Sequence, residues 1–343
     1  MTRVWASKTG RFSVLLPAAG YGVLAVLAAV LVVFFIGQVA LGTYTLSLAE
    51  VWATLTGSAQ DMARTVVFDF RIPRALAAML AGALLAVSGA ILQALTRNPL
   101  ADPSLVGVSQ GGALAVVSTI ILFPAFPPAL RPLVAFVGAM AVAALVQALS
   151  DKGRGRNALR FILIGIAISS FLAALIRAFL TYGDIRDSMS ALSWLAGSVH
   201  SSGWQDVAIM GAALAVVFTT IPAVARRLSV LQLGEEAATG LGLDVRLNNR
   251  VLLFTSVALA AVAVAAVGPL VFIGLIAPQA AKRMVRTGAG MHLLLTALTG
   301  AIMVIAADLA GRTLLSPTEI PAGVVTAIIG APVFLLIMLR RNA

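Results

Sequence analysis

The chain has 343 residues, of which 60% are hydrophobic and 11% charged, with a formal net charge of +11 and no cysteine. An ordinary soluble domain carries about 25% charged residues, so the composition excludes a soluble enzyme and describes a polytopic membrane protein. Disulfides, thiolate metal sites and cysteine nucleophiles are excluded too, and two histidines far apart, His200 and His292, do not make a metal cluster. No metal or cofactor is therefore expected. The basic residues sit in short clusters between apolar runs, which is the pattern of topology determinants and not of a nucleic-acid-binding surface.

Apolar runs long enough to span a bilayer, about 20 residues each, cover residues 15–36, 73–94, 104–123, 132–149, 161–180, 206–225, 251–267, 269–281, 291–310 and 321–339. The first follows basic residues as a signal peptide would, but its apolar part is too long for a secretory core and reads as a retained helix. Residues 251–281 carry no charge and are too long for one straight span. Proline removes a helix hydrogen bond at Gly268-Pro269, and basic residues flank both ends of the run, so the chain is expected to go out and return. Ten spans follow, the eighth short. With both termini cytoplasmic, the inner side collects Arg3, Lys8, Arg11, Arg97, Lys152, Arg154, Arg156, Arg160, Arg226, Arg227, Arg246, Arg250, Lys282, Arg283, Arg286, Arg340 and Arg341, most of the 24 basic residues.

The expected architecture is an all-α membrane protein, one transmembrane domain over residues 1–343. Ten spans divide into five and five, and an odd number per half makes the second half enter from the opposite face, the inverted-repeat plan of many transporters. Its sequence trace is faint: "GALLAVSGAILQAL" (82–95) and "GPLVFIGLIAPQAA" (268–281) share glycine spacing and little else.

Several polar positions stand out against this background. "LQLGEEAATGLGLDV" (231–245) lies in the longest inner loop, 226–250, and is too polar to cross and too apolar for a solvated linker. It is either an interfacial helix or a docking helix for a soluble partner. An anionic lipid surface favours lysine and arginine, so Glu235 and Glu236 have the wrong sign for lipid. "RIPR" sets Arg71 and Arg74 at the outer start of the second span, with Pro73 where a missing N–H is harmless. Arginine is a poor neighbour for the positive end of a helix dipole, so these side chains either snorkel to lipid phosphate or face a partner. Asp308, the one carboxylate assigned to a span, stands four residues before Arg312 and can pair with it. Arg177 lies near the outer end of the fifth span, in reach of the interface. Trp194, Trp204 and His200 occupy the outer loop 183–205, and "TRNPLADP" (96–103) turns the chain on the inner side. No phosphate-binding lysine loop, nucleophile elbow or paired-histidine helix is present, so no catalytic site is expected.

These stretches together resemble one family, the permeases of ATP-binding cassette (ABC) importers for iron-siderophores, haem and cobalamin. The likeness runs from about Tyr44 onward through "RIPRALAAMLAGALLAVSGAILQALTRNPLADPSLVGVSQGG" (71–112), "WLAGS" (194–198), "LGEEAATGLGL" (233–243), "GPLVFIGLIAPQAAKRMV" (268–285) and "PAGVVTAIIGAPVFLLIM" (321–338). The resemblance implies a ten-span subunit that pairs with a second permease, identical or related, around a central pathway in the cytoplasmic membrane. Two ATPase subunits would dock below and a substrate-binding protein above. It implies a coupling role for Leu233, Gly234, Glu235, Glu236, Ala237, Gly240, Leu241 and Gly242, and a binding-protein contact for Arg71, Arg74 and Arg312. It places Arg177, Trp194, Asn98 and Pro99 along the pathway. Many relatives carry histidine at the position of Gln279, so that residue takes no role. Ferric siderophore is the expected cargo, haem or cobalamin the alternative. An ion-coupled secondary carrier is the contrasting class, and the scarcity of intramembrane acids speaks against it.

Overall fold

The computed structural model describes residues 2–6, 13–42, 47–56, 61–151 and 158–339. Lys8, Arg11, Lys152, Arg154, Arg156, Arg340 and Arg341, used above for orientation, lie outside them, as does Tyr44. A short antiparallel ribbon, β1 (Thr2–Ala6) with β2 (Ser13–Pro17), precedes the helical body. The first span therefore starts at Ala18, after Pro17, and not at residue 15.

Each expected span is met by a helix: α1 (Ala18–Ala40), α4 (Ile72–Thr96), α5 (Val108–Leu122), α6 (Arg131–Asp151), α7 (Ala158–Tyr182), α9 (Trp204–Gln232), α11 (Val245–Val267), α12 (Ile273–Met284), α13 (Ala289–Thr313) and α14 (Ala322–Leu339). Seven are long and apolar enough to cross a membrane by themselves, and α5 and α14 are shorter apolar helices. The shortest of the ten, α12, starts late because Gly268 (φ 74°) and Phe272 (φ 68°) hold left-handed backbone on either side of Pro269. Four smaller helices complete the body: α2 (Leu48–Leu55), α3 (Asp61–Thr65), α8 (Ile185–Leu195) and α10 (Glu235–Gly240). Between α3 and α4 a π-helical turn, Val66–Arg71, delivers the chain to Pro73 without a break.

Packing follows composition. Small residues let helices approach closely, and α4, rich in alanine and glycine, is buried along most of its length, against α13, α11, α12 and α9. Without a hydrophobic drive between helices in lipid, close backbone approach supplies the packing energy. Gly82 lies against the Gly300 carbonyl of α13, and Gly89 against the Gly274 carbonyl of α12. The outer helices α1, α6, α7 and α9 turn Val33, Leu133, Leu163 and Val216 outward, as lipid-facing surfaces do.

The inverted repeat is visible in which helices are neighbours. Matching each of the first five spans with its counterpart five later, α4 packs on α13 as α11 packs on α6, α5 on α6 as α12 on α13, and α5 on α7 as α12 on α14. The repeat-related helices α4 and α11 cross at two serines that bond reciprocally. The Ser88 hydroxyl donates to the Ser256 carbonyl (2.5 Å) and the Ser256 hydroxyl to the Ser88 carbonyl (2.8 Å). Residues 82–95 thus correspond to α11, and not to 268–281 as their shared glycines suggested. Those two segments share small residues because they pack on each other: Gln93 donates to the carbonyls of Gly274 and Leu275 (both 3.2 Å).

Candidate functional site

One end of the bundle gathers the C-terminus of α1, the start of α4, the segment between α8 and α9, and the end of α13. Arg71, Arg74 and Arg312 meet there, and all three are buried, each 6–7% exposed. Arg74 forms a two-pronged pair with Asp308, Nε to Oδ2 at 2.9 Å and Nη2 to Oδ1 at 2.8 Å, across 234 residues of chain. Its remaining nitrogen, Nη1, reaches Glu319 (2.9 Å) and the His200 ring (3.0 Å). Gln38 of α1 donates to Asp308 Oδ2 at 2.8 Å, so both carboxylate oxygens are taken. Burial alone would raise the Glu319 carboxyl, but Arg74 and His200 outweigh it and hold the group below the ordinary carboxylate range.

Asp308 therefore pairs with Arg74, and the expected Asp308–Arg312 pair does not form. Arg312 instead donates to the Gln38 carbonyl (2.8 Å), and Arg71 to those of Val39 (2.6 Å) and Ala40 (3.1 Å). The last carbonyls of α1 have no partner within their own helix, and the dipole leaves that end negative. Two guanidiniums satisfy both needs. The sequence reading found Arg71 badly placed for the helix it begins; it serves the end of another helix. Buried as they are, these arginines do not snorkel to lipid. They line a cleft of about 500 Å³ with Asp69, His200, Ser202 and Glu319, in which Arg312 Nε and Ser202 Oγ are shielded without a hydrogen-bond partner among the described residues.

At the same end three of the sequence motifs converge on backbone contacts. Ser198 N–H donates to the Val267 carbonyl (2.8 Å) and Gly323 N–H to that of Gly197 (2.9 Å). Gly197 takes a left-handed turn (φ 65°), and any Cβ there would stand 2.1 Å from the Pro269 carbonyl oxygen. "WLAGS", "GPLVF" and "PAGVV" are thus one junction joining α8, α11 and α14. Trp194, in the last turn of α8, is half-buried against the apolar cluster of α5 and α7.

The opposite end carries α10. Its loop is shorter than expected: α9 continues past Pro222 to Gln232 and α11 starts at Val245, which leaves 233–244. Left-handed Gly234 (φ 111°) and Gly242 (φ 81°) set the turns around it. Ala238 anchors α10 by burial, while Glu235, Glu236, Ala237, Gly240 and Gly242 are exposed. Leu233 and Leu241 stand 65% and 66% exposed beside the glutamates. The knob presents acid and leucine to whatever covers it.

Beside it, Arg97 turns the chain out of α4 in left-handed conformation (φ 50°) and donates to the Leu231 carbonyl (2.9 Å). Asn98 closes the turn by accepting from Leu100 N–H (3.0 Å), and the Gln279 amide donates to Gln93 Oε1 at 2.5 Å, with the Pro99 carbonyl at 3.5 Å. Asp102 is buried at 5% exposure next to Gly274, its Oδ2 without a hydrogen-bond partner among the described residues. Burial raises its carboxyl, against the Ser104 hydroxyl and N–H that hold Oδ1. It is a second buried acid, held in the turn that follows α4.

Comparison with known proteins places the whole arrangement. The FecCD transport family matches residues 30–340. This chain belongs to that family. An iron(3+)-citrate import system permease protein of Bacillus subtilis is 38% identical over 316 residues, 91% of this chain and 93% of its own. A hemin transport system permease protein of Yersinia pestis is 36% identical over 318 residues, 91% and 93% of the two chains. Among solved structures, an inward-facing metal-chelate type ABC transporter superposes with a TM-score of 0.83 at 30% identity, covering 93% of this chain and 99% of that one.

In this FecCD chain Arg177 sits on α7 five residues before its end, on an exposed strip with Phe171, Ala174 and Ala178. His200, Glu319 and Gln38 are the polar partners that sequence reasoning missed. Nothing local marks them, because each acts on a side chain more than 100 residues away. Among the described residues no group of three or more His, Asp or Glu side chains is placed to hold a metal.

Proposed function

We propose that this FecCD permease carries ferric siderophore across the cytoplasmic membrane, driven by ATP hydrolysis on separate subunits that dock on α10. The observation that carries the reading is the solvent-facing acid-and-leucine knob at one end of a fold shared with a metal-chelate type ABC transporter. Seated in a cleft of an ATPase subunit, α10 would transmit closure of the nucleotide-binding pair to α9 and α11, which flank it in sequence. The α10 end is then cytoplasmic. The exposed faces of α7 and of α14, the latter with Ile328, Ile329, Leu335 and Leu336, suit a second permease across a central path. At the other end, the arginine cleft suits a carboxylate of a substrate-binding protein, which would accept from Arg312 Nε and Arg74 once Glu319 gives way. The iron(3+)-citrate and hemin relatives frame the cargo, with haem or cobalamin as the alternative.

Reconstitution with its ATPase and binding protein tests the reading. Uptake of ferric chelate into proteoliposomes should require ATP and stop with vanadate; uptake driven by an ion gradient without ATP would refute it. Charge reversal on α10, Glu235→Lys with Glu236→Lys, should abolish co-purification of the ATPase while leaving the permease folded, since both side chains are exposed. A complete ATPase complex from the double variant would remove α10 from the coupling path.

Arg177 separates pathway from interface. If it meets an anionic chelate, Arg177→Lys loses the planar fork and uptake falls, with Arg177→Gln lower still, at unchanged basal ATPase activity. Uptake equal to wild type in both variants would assign it to the lipid interface.

A further inference from the structure

A cleft of about 1000 Å³ opens beside α10, between the last turns of α4, α9 and α12 and the first turn of α13. Arg97, Lys282, Arg283 and Arg286 line it, and no carboxylate does among the described residues. Lys282 and Arg286 stand exposed at its mouth, and a cleft lined by one sign of charge concentrates counter-ions of the other. Gln93 and Gln279 also line it, their amide donors already spent on the Gly274 and Leu275 carbonyls and on Gln93 Oε1. The Thr287 hydroxyl oxygen, on its wall, is shielded from solvent with no hydrogen-bond partner among the described residues. The first turn of α13, a helix of 25 residues, opens at the cleft behind Gly288, with no side chain capping its free N–H groups. Ala90, Ala94, Leu228, Val285 and Leu293 give it an apolar half, and His292 and Gln232 also line it.

We infer that this cleft binds a phosphate group: arginine and lysine at the mouth, a hydroxyl and helix N–H donors at the wall, and apolar side chains beside them. The volume exceeds that of a free phosphate, and the apolar half lies where the glycerol and upper acyl carbons of a membrane phospholipid would run. Occupancy would tie the end of α9, which leads into α10, to α12 and α13. The inference takes from the proposed function only that this end faces the cytoplasm, where anionic head groups gather. Its test reads binding and not transport, so the two can fail separately.

The full chain, stripped of lipid in detergent, is titrated with phosphatidylglycerol, phosphatidylcholine and inorganic phosphate, with retention followed by native mass spectrometry. Phosphatidylglycerol should be retained in preference to phosphatidylcholine. Lys282→Gln with Arg286→Gln, both exposed at the mouth, should weaken it about 30-fold, from roughly fivefold per cation at an anionic surface. Arg246→Gln with Arg250→Gln, on α11 outside the cleft, should not. Thr287→Val should weaken binding without touching charge. Displacement of the lipid by millimolar inorganic phosphate would make free phosphate the source; no displacement leaves the head group. Equal retention of the two lipids, or equal weakening by the α11 pair, would overturn the site.

Discussion

Asp308→Ala is expected to be among the most destabilising single changes in this permease, by about 3–5 kcal/mol, because it strands a buried guanidinium. Arg74 is 7% exposed and spends two nitrogens on Asp308, which also accepts from Gln38. Removing the carboxylate leaves Arg74 with Glu319 and His200 alone, in a cleft where Arg71 and Arg312 add like charge. Asp308→Leu combined with Arg74→Met should regain most of the loss, since a buried pair contributes little beyond an apolar pair of similar volume. Thermal unfolding in detergent measures both. A double variant as unstable as the two singles added together would show that the residues act independently. The binding-protein contact proposed for Arg74 should be lost in the double variant even though the fold is kept, which separates its structural role from its docking role.

The second large effect belongs to the backbone crossings. Gly89→Val should prevent the chain from reaching its folded state in the membrane, because even a first side-chain carbon would stand 1.9 Å from the Gly274 carbonyl oxygen. Neither helix has a flexible side chain there to give way, so α4 and α12 would have to separate. That would pull Gln93 off its two carbonyl acceptors, and Gln279 off Gln93. Gly22→Val is the matched control: a Cβ at Gly22 of α1 meets nothing within 4 Å, and its effect should stay within about 0.5 kcal/mol. Folded, monodisperse protein from Gly89→Val on size-exclusion chromatography would contradict the packing described here.

The number and order of spans were legible because a bilayer imposes one requirement, about 20 apolar residues per crossing, and composition records it directly. The break at Gly268-Pro269, the turn after α4 and the helix at 235–240 were legible for a related reason: proline and glycine act on their own backbone, and two exposed glutamates declare themselves against an apolar chain. The motifs also led to the family, and with it to the architecture.

Partnership was not legible. Asp308 and Arg312 share a helix face four residues apart, and local spacing pairs them. In the folded chain a better-placed guanidinium arrives from α4, and Arg312 is drawn to the carbonyl end of α1. Arg71 looked like an outward charge because its own helix has no use for it; a neighbouring helix does. The glycines of 82–95 and 268–281 resembled a repeat because small residues are needed on both sides of one crossing. What the sequence by itself determined is what a residue expresses on its own segment: solubility in lipid, the order of the spans, and the turns that proline and glycine impose. What only the tertiary structure decided is which buried polar group answers which, because inside a bilayer each must find a partner and the nearest one in space is set by helix packing, not by distance along the chain.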